Sequence, residues 1–213
     1  LKPSTPMVVI YDLFNRINTG GTQLNRQEVR NCIFIGNSTK LLKKLSEQDY
    51  FKRAIDWGVR DTRMKDREVI LRYISFRWFD FKEKYNGDMS GFVEAAMKKI
   101  NKMDDDHIQT IEKDFQRVMK WTFKIWERAN FRMPTDFTRG TINTAIFETV
   151  GYYIAKRTDE FIEKNKLIIR NNYKNLIQNP EYYDSVSRAT GGKSKVLARF
   201  ELVEEILNQN TND

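Results

Sequence analysis

One cysteine and one histidine in 213 residues leave little room for several kinds of chemistry. Cys32 has no partner for an internal disulfide, and a Cys-rich zinc or iron–sulfur site is excluded. His107 alone cannot supply a paired-histidine metal motif or a scheme that needs two imidazoles. A Cys32–His107 dyad stays arithmetically open, but Cys32 stands beside Ile33, Phe34 and Ile35 and reads as a small buried hydrophobe. Proline (4) and glycine (10) are scarce while 40% of residues are hydrophobic, so the composition is that of a globular chain rather than a disordered or collagenous one. No apolar run approaches the roughly 20 residues that a membrane-spanning helix needs. No secretory signal is present and the chain opens on Leu1, so a cytoplasmic protein with a cut or processed N-terminus is expected.

What is present is helical periodicity. Thr5-Pro6 offers a cap and a first-turn proline, and Ile10, Leu13, Phe14 and Ile17 then fall on one face. The Asn18-Thr19-Gly20-Gly21 turn stops that helix, and Asn25 with Glu28 three residues on forms a capping box for the next. Further helices are expected over 38–46, 48–56, 65–83, 89–102, 104–128, 141–156, 159–178 and 193–208. Pro180 is read as closing the helix before it, with Tyr182-Tyr183 at the surface. In 104–128, Ile108, Ile111, Phe115, Val118, Thr122 and Ile125 alternate spacings of three and four, which marks a candidate central strut. The expectation is one all-α domain over 1–213, of about nine helices. A short strand competes only at Val8-Val9-Ile10-Tyr11, where β-branched residues are weak helix formers.

The net charge of +8 is unevenly spread. Between Lys40 and Arg77 lie eleven basic and six acidic residues. Lys40, Lys43 and Lys44 share a helical face, and Arg63, Lys65 and Arg67 cluster at a helix start. These six are candidate nucleic-acid contacts, set against a solvated face and ion pairs among Arg63, Asp66, Glu68 and Arg72. The aromatics Tyr73, Phe76, Trp78, Phe79 and Phe81 read mostly as core. Gly191-Gly192-Lys193-Ser194 imitates the end of a phosphate loop but lacks its first glycine and a preceding strand.

The segment from Phe14 to Asn31 is the most informative. A glycine turn followed by a helix start presents unsatisfied amides that favour an anion, with Arg16 before it and Arg26 and Arg30 after it. The same residues also make an ordinary helix stop and capping box. The run Phe14-x-Arg16-Ile17-Asn18-Thr19-Gly20-Gly21-x-x-Leu24-x-x-Gln27-Glu28-x-Arg30-Asn31 resembles the signature of the ParB-like domain of GmrS and GmrSD restriction endonucleases. Lys2-Pro3-x-x-Pro6, Arg63-Met64-x-Asp66-x-Glu68-x-x-Leu71-Arg72, Asn143-x-Ala145-Ile146-Phe147 and Arg199-Phe200 agree with it, so the resemblance runs through almost the whole chain and residues 1–36 carry its signature.

The resemblance implies the C-terminal helical part of a bacterial phage-defence protein that recognises or cleaves modified DNA with a nucleotide. It implies Arg16, Asn18, Gly20, Gly21, Glu28, Arg30 and Asn31 as part of a site for a nucleoside triphosphate with magnesium, completed by an upstream ParB-like half. The Asp-Gly-Gln-Gln-Arg motif of that half is absent from this sequence, and one histidine cannot run HNH nuclease chemistry. No catalytic or metal-ligating residue is therefore assigned to this chain. DNA and an upstream half or nuclease domain are the implied partners, and self-association is left open. A non-catalytic helical DNA-binding or protein-interaction module is the alternative.

Overall fold

A computed structural model describes residues 9–10, 12–13, 23–59, 62–133 and 140–212. Eleven α-helices follow one another: α1 (Arg26–Ile33), α2 (Asn37–Ser46), α3 (Asp49–Ala54), α4 (Lys65–Trp78), α5 (Phe81–Lys84), α6 (Met89–Ile100), α7 (Asp105–Trp126), α8 (Thr144–Ala155), α9 (Asp159–Gln178), α10 (Pro180–Ser187) and α11 (Lys193–Leu207). The chain is all-α: among the described residues the only β-pairing is an isolated bridge between Arg132 and Ile142. Val9 and Ile10, the described part of the run where a strand competed, are helical, as are Asp12 and Leu13.

The centre of the molecule is α8 rather than the long α7. Ten of the twelve α8 residues are buried, from Ala145 through Gly151 and again from Tyr153 to Ala155, so this helix is enclosed on nearly every side. Helix α7 instead buries one stripe, Ile111, Phe115, Val118, Met119, Thr122, Ile125 and Trp126, and turns its charged face outward. Its length, 22 residues, suggested a strut, but an amphipathic helix needs only one covered face, whereas an apolar one must be surrounded. Helices α4 and α8 pack closely, and Gly151 permits it: a Cβ there would stand 2.9 Å from both Cδ2 and Cε2 of the Tyr73 ring. Phe147 lies between the rings of Phe51, Tyr73 and Phe131. A second aromatic cluster, Phe76, Phe81, Tyr85, Phe92 and Phe200, ties α4 to α5, α6 and α11.

The helix expected over 65–83 is two helices. Phe79 is extended (φ −124°, ψ 132°), and Asp80 starts α5 by accepting a hydrogen bond from the Glu83 amide. A capping aspartate competes with helix continuation, and here it wins. Pro180 does not merely close α9: with Asn179 as cap it occupies the first turn of α10. Its missing N–H costs nothing at that position. Tyr182, read as a surface residue, is fully buried with its hydroxyl 2.7 Å from Thr149 Oγ1, while Tyr183 is half-exposed. Cys32, read as buried, is exposed on the outer face of α1. No described helix is long and apolar enough to cross a membrane.

Candidate phosphate and nucleic-acid surfaces

The start of α1 is built as the sequence implies. Asn25 Oδ1 accepts from the Glu28 amide at 2.9 Å, and Glu28 Oε2 accepts from the Asn25 amide at 2.6 Å, closing the capping box. Arg63 then clamps this box from 35 residues away, donating to Glu28 Oε2 at 2.9 Å and to the Gln23 carbonyl, while Asn25 Nδ2 donates to the Arg63 carbonyl. Arg63 can do so because the backbone at Arg63 and Met64 is left-handed (φ 60° and 58°), which turns the side chain back toward α1. The Arg63 guanidinium holds the Glu28 carboxyl below the usual carboxylate range. A depressed folded-state pKa means that the contact is intact above the ordinary glutamate value and is lost as pH falls through the lowered one. In an NMR pH titration the Asn25 amide is therefore expected to shift only below the ordinary glutamate range, and Arg63→Gln to move that transition upward.

Arg30 faces the interior rather than solvent. Its Nη2 donates to Ser90 Oγ at 2.7 Å, its Nη1 to Gln27 Oε1 at 3.4 Å, and its Nε lies 3.6 Å from Glu94 Oε1, joining α1 to α6. Among the described signature members, Gln27 Nε2 and Arg30 Nε are buried without a hydrogen-bond partner, and so is one oxygen, Asn31 Oδ1. That oxygen is an acceptor, so it suits an N–H group or a metal-bound water and repels a phosphate oxygen. No group of three or more metal-ligating side chains occurs among the described residues. Glu28 and Arg30 are engaged by Asn25, Arg63, Ser90 and Gln27. Arg16, Asn18, Gly20 and Gly21 lie outside the described residues.

The basic residues of 40–77 are largely paired. Lys43 pairs with Glu47, Lys44 with Glu112 at 2.7 Å, Arg63 with Glu28, and Lys65 with Glu68 at 2.7 Å. Lys40 is exposed, and Arg67 is half-buried with its amide bonded to Asp66 Oδ1. The pairing expected among Arg63, Asp66, Glu68 and Arg72 is thus replaced: only Glu68 finds a neighbour on its own helix, and Arg72 reaches α8.

Two lysines outside that stretch are brought together instead. Lys84 at the end of α5 and Lys99 on α6 flank a cleft of about 200 Å³ that also has Phe79 and Phe92 in its wall. Burial and the nearby Lys84 charge hold Lys99 below the ordinary lysine value, with Asp80 acting in the opposite direction. Lys99 Nζ also sits 5.0 Å from the centre of the Phe79 ring. Lys98 and Lys102 extend the exposed basic surface along the same end of α6. The sequence signal was available in the Lys98-Lys99-x-x-Lys102 spacing, but the contribution of α5 depends on the break at Phe79.

A buried charge cluster lies between α4, α8 and α11. Glu148, fully buried on α8, accepts from Arg199 Nη2 at 3.0 Å through Oε2 and contacts Arg72 Nε through Oε1. Arg199 is also fully buried, and its Nη1 donates to the Thr190 carbonyl at 2.5 Å. Arg72 borders an adjacent cleft of about 370 Å³ whose wall includes Thr141, Asn143, Thr144 and Thr190. Asn143 fixes one rim: its Oδ1 caps α8 at the Ala145 and Ile146 amides, and its Nδ2 donates to the Val186 carbonyl. The lone acid in the apolar run Ala145-Ile146-Phe147-Glu148-Thr149-Val150 was the sequence signal for this cluster, because a buried carboxylate demands a cation.

Comparison with family models, with curated proteins and with solved structures finds no match for this chain.

Proposed function

We propose that this chain is the helical portion of a GmrS-like phage-defence protein, supporting nucleotide-dependent recognition or cleavage of modified DNA. The bond-breaking chemistry belongs to an upstream ParB-like half and a nuclease domain. The reading is supported by the signature over 14–31 and by the meeting of other segments that share the resemblance: Arg63 grips Glu28, Arg72 and Arg199 meet at the buried Glu148 carboxylate, and Asn143 shares a cleft wall with Arg72. Glu28 and Arg30 hold the start of α1, the helix that the resemblance assigns to the nucleotide site.

The observation that carries the DNA contact is the Lys84–Lys99 pair. Two like charges that flank one cleft repel unless an anion lies between or above them, and the cleft offers Phe79 and Phe92 for an apolar contact. Among the described residues no carboxylate forms an ion pair with either lysine, although Asp88 shares the cleft wall. A nucleic-acid backbone supplies the missing charge.

The test is duplex affinity as a function of salt, read by fluorescence anisotropy. Each backbone contact adds about 0.9 to the negative slope of log affinity against log salt. The double variant Lys84→Ala/Lys99→Ala is expected to reduce the slope by about 2, since two contacts are removed. Lys43→Ala/Lys44→Ala is expected to change it little, because both side chains already serve carboxylates. An unchanged slope in the first variant refutes this surface as the DNA contact. Affinity that ignores salt favours the alternative, an interaction module docking another protein domain. Trp57, 64% exposed on a left-handed turn, is the observation on that side.

A further inference from the structure

The cleft beside Arg72 has no role in the lysine-borne DNA contact, and its chemistry is specific. The charge cluster beneath it holds two guanidinium groups against one carboxylate, a surplus of one positive charge in a buried setting. The two arginines are served unequally. Arg199 donates to Glu148 and to the Thr190 carbonyl, which satisfies two of its nitrogens. Arg72 contacts Glu148 without an aligned hydrogen bond, and neither its Nε nor its Nη2 has a hydrogen-bond partner. A guanidinium in so poor a solvent needs further acceptors.

Arg72 is also the arginine with an outlet. Its side chain keeps 15% of its surface, and it forms part of the cleft wall. Around it stand the hydroxyl-bearing Thr141, Thr144 and Thr190, with Asn143 committed to the α8 cap; among the described residues no acidic one belongs to the wall. Hydroxyl donors around a guanidinium suit an anion with several oxygens. A volume of about 370 Å³ exceeds that of one free ion and admits the group as part of a larger molecule.

We propose that this cleft binds a phosphate group, with Arg72 supplying the charge and Thr141, Thr144 and Thr190 the hydroxyl donors. The Arg199–Glu148 pair is the positioning element. Glu148 holds the Nε side of Arg72 inward and Nη2 is buried as well, so the 15% of the side chain that stays exposed is the part that meets the ligand. The site is separate from the Lys84–Lys99 surface, and it stands whether or not DNA binds there.

The test is thermal unfolding of the full chain in inorganic phosphate against sodium chloride of equal ionic strength, repeated with a nucleoside triphosphate and with a short DNA duplex. A ligand that binds only the folded state is expected to raise the midpoint by about 2–4 °C in a chain of this size. Thr141→Trp fills the cleft from an exposed position without touching the charge cluster, and it is expected to abolish the rise. Arg72→Lys keeps the charge but loses the planar fork, and it is expected to weaken apparent affinity at least about tenfold. Lys84→Ala/Lys99→Ala is expected to retain the full response, which separates this site from the DNA surface. Whichever phosphate source acts identifies where the group comes from. No rise with any of the three, an equal rise in the wild type and Thr141→Trp, or a response lost only in the lysine double variant overturns the proposal.

Discussion

Glu148→Gln is expected to destabilise the protein by about 3–5 kcal/mol, the cost of leaving buried charge without its counter-ion. The substitution preserves shape and a hydrogen-bonding oxygen, so the loss reports charge rather than packing. Arg199, fully buried, then keeps the Thr190 carbonyl, and the two guanidinium groups share one neutral amide oxygen in place of a carboxylate. At roughly 2–4 °C per kcal/mol for a chain of this length, the midpoint should fall by about 6–20 °C. Urea denaturation gives the check: the midpoint concentration drops while the slope is retained, since folded and unfolded areas are unchanged. Glu163→Gln is the matched control, because its partners Lys124 and Lys166 sit in water and such pairs contribute at most about 1 kcal/mol. A loss of similar size in the two variants would mean that solvent reaches the Glu148 carboxylate. It would also remove the charge argument for a ligand above Arg72.

Phe76→Ala is expected to cost about 3–5 kcal/mol through the cavity it leaves. The ring centre of Phe76 lies 5.0–5.8 Å from those of Phe81, Tyr85, Phe92 and Phe200, so one truncation strips contacts from four other aromatic side chains. The damage should be uneven. Helix α5 has four residues and one buried side chain, Phe81, and its ring packs directly on Phe76. Hydrogen exchange is therefore expected to show the amides of Lys84 and Tyr85, bonded to the Asp80 and Phe81 carbonyls, losing protection well before those of α8. Because α5 carries Lys84, DNA affinity should fall together with that protection. Phe76→Leu keeps most of the volume and is the milder comparison. Equal loss of protection throughout the chain would instead show that the aromatic cluster and the main core open as one unit.

Local features were legible in the sequence and distant pairings were not. The α7 stripe from Ile111 to Ile125 and the Asn25–Glu28 capping box depend on residues at most one turn apart in each contact, and the structure reproduces both. The break at Phe79 and the start of α10 at Pro180 were missed because residues that interrupt one helix also begin the next: Asp80 and Asn179 are strong caps, and Pro180 is at home in a first turn. The candidate site shows the larger gap. Composition located a basic stretch at 40–77, but whether a cation is free depends on where acids lie in space. Glu28 finds Arg63 across 35 positions, and Glu148 finds Arg199 across 51. No local spacing encodes either meeting. The bare lysines emerged only once the paired ones had been subtracted.

The missing side chain at Gly151 has a reach beyond its own contact. Tyr73 rests on that bare stretch of α8, one residue along from Arg72 on α4, while Glu148 lies three residues before Gly151 on α8. The glycine thus acts as a gauge block: it sets the gap between two helices, and that gap fixes how deeply the carboxylate reaches toward the guanidinium. A single methyl at position 151 would wedge the helices apart at one point and unseat a charge pair about one turn away. Packing tolerance in the apolar core and electrostatic alignment at the cleft are therefore one mechanical specification.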